Sequence, residues 1–174
     1  MVPIKVPMGG VAYLDKDTQV FDLWESVGGR VAKREHATSD KPGMSTKGLA
    51  DCFAVAVMGS RGAILAHVSA YLGASDPDEN HKKELKARKD SFALLWNTHR
   101  GQLQPPTVVI IPGPWTNAGN MQRLYAQIFP QLAAIPEKVF PCEKMPNPRG
   151  ERHGTVVVMV GPSNELFVED VKKF

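Results

Sequence analysis

A thiol at Cys52 and an imidazole at His67 are the residue types in this sequence that make a nucleophile and its base. A thiol attacks carbon only as its thiolate, and a free cysteine with a pKa of about 8.5 is mostly protonated at neutral pH. A neighbouring imidazole that accepts the proton removes this obstacle. Taken singly, both residues have an ordinary reading. Free Cys is among the most buried residue types, and a lone His on an apolar strand is more often a satisfied core residue than a base. Only a fold that brings the two together gives them chemistry.

The surrounding residues predict such a fold. Residues 52–58 (Cys-Phe-Ala-Val-Ala-Val-Met) form an apolar run, Gly59-Ser60-Arg61-Gly62 is turn chemistry, and residues 63–69 (Ala-Ile-Leu-Ala-His-Val-Ser) resume the run. This is the pattern of a hairpin buried on both faces. Pairing around Ser60-Arg61 sets Val57 opposite Ile64, Ala54 opposite His67 and Cys52 opposite Ser69. Because side chains alternate along a strand, Cys52, Ala54, His67 and Ser69 share one face, with Cys52 diagonal to His67 at roughly 7–8 Å. The small residues Ala50, Ala54, Ala66 and Ser69 leave room for a substrate side chain, and Ala54 and Ser69 are the pocket candidates.

Around the hairpin, the first forty residues predict one or two short strands (Val11 to Leu14, Val20 to Trp24) and then a long exposed loop from Lys33 to Gly43. Asn80 to Thr98 is rich in helix formers and places Phe92, Leu95 and Trp96 on one face, after a start supplied by Ser75 to Glu79. Thr107 to Ile111 reads as a strand stopped by Pro112-Gly113-Pro114. Thr116 or Asn117 then caps a second helix running to about Leu132. Lys138 to Cys142, Thr155 to Val160 and Glu165 to Val168 are late strands, the last two paired as a hairpin. Hairpins mixed with helices favour a layered α/β (α+β) sandwich with a mixed sheet over a doubly wound nucleotide fold. The sequence has no Gly-rich phosphate motif, and no cofactor is expected.

The 174 residues fit one domain over the whole chain, 1–174, and 43% apolar content is enough for a core. A net charge of +3, from 21 basic and 18 acidic residues, implies no dedicated nucleic-acid surface. The first ten residues contain no apolar run of signal-peptide length and no later stretch is of transmembrane length, so no membrane contact and a cytoplasmic setting are expected. Cys52 and Cys142, widely spaced, are expected to be free thiols. His36, His67, His81, His99 and His153 are scattered without metal-ligand spacing, so no metal is expected. The sequence carries no mark of oligomeric state.

The segment Thr46-Lys47-Gly48-Leu49-Ala50-Asp51-Cys52, followed by an apolar strand, a turn and Ala66-His67-Val68, resembles the signature of the CheD-type protein-glutamine deamidases. It is also similar to the Leu-x-x-Cys motif of bacterial deamidase toxins such as cytotoxic necrotizing factor and Burkholderia lethal factor. The likeness spans Ser45 to Tyr71. It implies a deamidase-like sandwich in which Cys52 is the nucleophile, His67 the base and Thr46 the residue that orients the imidazole. The substrate it implies is a protein presenting a Gln (or Asn) side chain, with backbone N–H groups of Asp51 and Cys52 holding the oxyanion. Two features depart from the pattern. Ala50-Asp51 stands where Gly-Ser or Ser-Gly is usual, and the Cys-to-His spacing is shorter by an even number of residues, which preserves the facing. A carboxylate at Asp51 opposes thiolate formation, and strand alternation is expected to turn it to the other face.

Three other readings compete. One is a non-catalytic interaction protein that keeps a deamidase-like fold with a degenerate site. Another is a small-amide or thioester hydrolase. The third is a nucleic-acid or membrane-surface binder using Lys82, Lys83, Lys86, Arg88 and Lys89, although Glu79, Glu84 and Asp90 dilute that run into an ordinary solvated helix face. Trp115, in Pro-Gly-Pro-Trp, either lines a substrate groove or covers the core.

Overall fold

In the computed structural model, residues 2–27, 29–144 and 153–174 are described. The elements run β1 (Ile4–Lys5), β2 (Gly10–Asp15), β3 (Val20–Val27), β4 (Arg30–Thr38), β5 (Gly43–Thr46), β6 (Phe53–Met58), β7 (Gly62–Val68), α1 (Glu79–His99), β8 (Thr107–Pro112), α2 (Ala118–Ile128), β9 (Glu137–Val139), β10 (Val156–Met159), β11 (Glu165–Val168) and β12 (Val171–Lys172). Short 3-10 turns occupy Ala70–Gly73 and Pro130–Leu132.

The strands form two sheets. Seven strands follow the order β4-β3-β2-β7-β6-β8-β9, and five follow β1-β5-β10-β11-β12. The pairs β8–β9 and β1–β5 are parallel and the rest antiparallel, so both sheets are mixed. One face of the large sheet packs on the small sheet through Ala12, Leu14, Ala54, Ala56 and Leu65 against Met44, Val156, Val158 and Leu166. Its other face packs on the helices through Val55, Val57 and Ile64 against Phe92, Leu95, Leu124 and Ile128. The result is a single α+β domain in three layers. The central strands are apolar on both faces because both are covered. No described helix is long and apolar enough to cross a membrane.

The hairpin register is the one the sequence predicts, from Phe53 opposite Val68 to Met58 opposite Ala63, with Ala54 opposite His67. Asp78 caps α1 by accepting from the His81 N–H, and Asn117 caps α2 by accepting from that of Asn120. The second helix ends at Ile128, short of the expected Leu132, because Pro130 removes a helical donor and opens a 3-10 turn instead.

The largest correction concerns the polar tract from Lys33, expected as a loop. Most of it is strand β4, nine residues long at the edge of the large sheet. An edge strand needs a partner on one side only, so exposed charges such as Arg34 and Glu35 suit it. Lys33 and His36 both pair with the buried Asp22 of β3, at 2.9 and 2.5 Å. The strand predicted at Lys138 to Cys142 is shorter and earlier, Glu137–Val139.

Candidate active site

The site forms where the β6–β7 hairpin faces the small sheet. Alternation along β7 places Ala63, Leu65 and His67 on the inter-sheet face, and Cys52 lies in the same inter-sheet core as Ala54. Thr46, the last residue of β5, comes from the opposing sheet, and its Oγ1 lies 2.7 Å from His67 Nδ1. Thr46 and His67 retain only 4% and 3% of their exposure. The other ring nitrogen, Nε2, is buried with no hydrogen-bond partner among the described residues. A neutral imidazole whose Nδ1–H donates to Thr46 carries its lone pair on Nε2, the tautomer a general base requires.

Cys52 shares the face of His67, but no hydrogen bond joins the thiol to the imidazole among the described residues. Sγ instead donates to Asp51 Oδ1 at 3.5 Å, with the Ala70 N–H and the Ser69 hydroxyl also beside it. This corrects the expectation that Asp51 turns to the opposite face. Both residues precede β6, which begins at Phe53, so the alternation that governs the strand does not reach them.

Electrostatics make the resting pair neutral. Burial, and then the positive charge of Arg88, lower the His67 pKa to about 4. Burial raises that of Cys52. The Asp51 carboxylate adds to the rise, while the Ala70 N–H and the Ser69 hydroxyl oppose it. Burial therefore favours the neutral thiol and the neutral imidazole. Both cysteines are free, and burial followed by Glu169 pushes Cys142 up to about 12.

No known protein-family model matches the sequence, and no curated protein matches it. The site must therefore be judged on its own geometry.

A tight corner after β8 holds Cys52. Gly113 N–H and Thr116 Oγ1 both donate to the Cys52 carbonyl, at 2.9 and 2.7 Å, and Trp115 N–H donates to the Ala50 carbonyl at 2.9 Å. A Cβ on Gly113 would stand 2.4 Å from the carbonyl oxygens of Leu49 and Ala50, so this approach requires glycine. Sequence reading took Pro112-Gly113-Pro114 only as a strand stop and missed Gly113 and Thr116 as supports. Their visible signal was a glycine between two prolines directly after a β-branched strand. None of the backbone hydrogen bonds among the described residues uses the N–H of Asp51 or Cys52.

The pocket candidates separate. Ala54 is fully buried in the core between the two sheets. Ser69 is half-buried beside the thiol. Trp115 is 60% exposed, so it does not cover the core; it walls a cleft of about 200 Å³ together with Asp51, Phe53, Asn117, Asn120 and Met121. Cys52, at 5% exposure, is not among the residues lining this cleft, and Asp51 connects the two by touching the sulfur and lining the wall. A second cleft of about 250 Å³, between Pro77, His81 and Arg123, includes none of Thr46, Cys52 or His67.

The basic run on α1 is largely ion-paired. Lys82 pairs with Glu79, Lys86 with Asp90, and Arg88 folds inward onto Glu84 and the Ser26 carbonyl. Among the described residues, no three His, Cys, Asp or Glu side chains gather in a metal-holding group.

Proposed function

We propose that this chain is a cysteine amidohydrolase that deamidates a glutamine, or asparagine, side chain of a protein, as the resemblance to CheD-type deamidases implies. The observation that carries the reading is the bond from Thr46 across the two sheets to His67 Nδ1, with Nε2 buried and without a hydrogen-bond partner among the described residues. The core has a reason to spend a buried polar side chain there if the imidazole must be held in one tautomer, the part an Asp or Asn plays in other triads.

In this reading the Cys52 thiol gives its proton to His67 Nε2 as Sγ bonds to the carboxamide carbon, and the oxyanion settles on the N–H groups of Asp51 and Cys52. Collapse breaks the C–N bond while the imidazolium returns the proton to nitrogen, releasing ammonia and leaving a thioester. Water, losing a proton to Nε2, then attacks the thioester carbon. The C–S bond breaks, the sulfur recovers the proton, and glutamine has become glutamate. The test is ammonia release, with the one-dalton mass gain of the conversion, from unfolded glutamine-bearing proteins. Cys52→Ala is expected to abolish both with the fold intact, and wild-type turnover in that variant removes the reading.

A second reading keeps the fold and drops the chemistry. The burial of Cys52 and the carboxylate 3.5 Å from its sulfur favour a degenerate site in a binding protein. An inert Cys52 thiol in alkylation kinetics decides for it.

A further inference from the structure

The cleft that Asp51 shares with Trp115 has a charge the deamidase signature does not provide. Asp51 is the one ionisable group among its described lining residues, and its carboxylate is 3.5 Å from the Cys52 sulfur. The same cleft is lined by the exposed Trp115, by the apolar Phe53 and Met121, and by Asn117 and Asn120. Arg123, the cation on the same helix, is engaged by the Gly73 carbonyl and Asn120 Oδ1 at 2.7 and 2.5 Å. A volume of about 200 Å³ is too small for a folded loop and suits one or two side chains. A carboxylate and an aromatic face in one small cleft are complementary to a single kind of side chain, a lysine or arginine whose apolar stem packs on the walls.

We infer that this cleft holds a basic residue next to the target glutamine, so that the substrate is a cationic, glutamine-bearing segment. The inference rests on the deamidase reading for the glutamine and on the cleft for the charge. It also gives Asp51 a purpose that offsets its opposition to the thiolate: a cation arriving with the substrate neutralises the carboxylate as the sulfur must ionise.

Two labelled peptides, identical except for Lys or Glu beside the glutamine, test this by fluorescence anisotropy on the full chain carrying Cys52→Ala. The Lys peptide is expected to bind about fivefold more tightly, the size of one partly exposed ion pair, with the ratio shrinking in high salt. Asp51→Asn in the same background is expected to bring the ratio to about one. Equal or undetectable binding of the two peptides, or a ratio unchanged by Asp51→Asn, overturns the inference. Ammonia release by the wild-type chain separates the two claims. Equal release from both peptides leaves a deamidase without cation selection. A Lys preference in binding with no release from either peptide supports the cleft assignment and overturns the deamidase reading.

Discussion

Acidification should expose the buried imidazole through stability before it affects any activity. His67 is neutral in the fold, with its pKa lowered from 6.5 to about 4 by burial and then by Arg88. The unfolded chain takes up a proton at this position between those two values and the folded chain does not. Stability from this residue is therefore complete above pH 6.5, falls as the pH drops toward about 4, and is level below that. A displacement of about 2.5 units corresponds to about 3 kcal/mol in full, of which about 2 kcal/mol is lost between about pH 7 and about pH 5. Other acids, such as Asp15, Asp22 and Glu169, also titrate below neutrality, so the quantity to measure is a difference. His67→Asn keeps a nitrogen where Nδ1 meets Thr46 and removes the titration. Urea unfolding of both proteins at the two pH values should show the wild-type advantage shrinking by about 2 kcal/mol on acidification. An advantage that does not change with pH would mean that His67 is hydrated or paired, and the buried neutral base would be refuted.

Other substitutions have equally definite outcomes. Thr46→Val leaves Nδ1 unpartnered in the core and should cost about 1–3 kcal/mol in denaturant unfolding, with deamidation reduced far more than in Thr46→Ser, which keeps the hydroxyl. Asp51→Ser removes one of the influences holding the Cys52 pKa up, so alkylation of that thiol at neutral pH should accelerate while that of Cys142 does not. Gly113→Ala places a methyl 2.4 Å from two carbonyl oxygens and should cost about 1–3 kcal/mol in thermal unfolding while also slowing alkylation of Cys52.

Legibility in the sequence followed periodicity. The β6–β7 hairpin was readable in type, register and facing because a two-sided apolar run interrupted by Gly59-Ser60-Arg61-Gly62 admits few pairings. The helices were readable from their caps and apolar stripes. The edge strand β4 was not, since its polar residues follow no alternation and its strand character comes from pairing with β3. The position of Asp51 is not legible for a related reason: it lies two residues before β6 begins, where strand alternation does not apply. Thr46 was placed by resemblance alone, and only the packing of one sheet on the other shows how a residue 21 positions before His67 reaches its ring. The cleft walled by Trp115 depends on where the corner after β8 falls, which no local pattern encodes.

The most direct test of a catalytic Cys52 uses a peptide in which a chloroketone replaces the glutamine carboxamide, followed by peptide mapping in a mass spectrometer. The expected result is one adduct on Cys52, none on Cys142, and a rate strongly reduced by His67→Asn. An unlabelled Cys52, or labelling as fast without the imidazole as with it, would contradict the assignment of Cys52 and His67 as nucleophile and base.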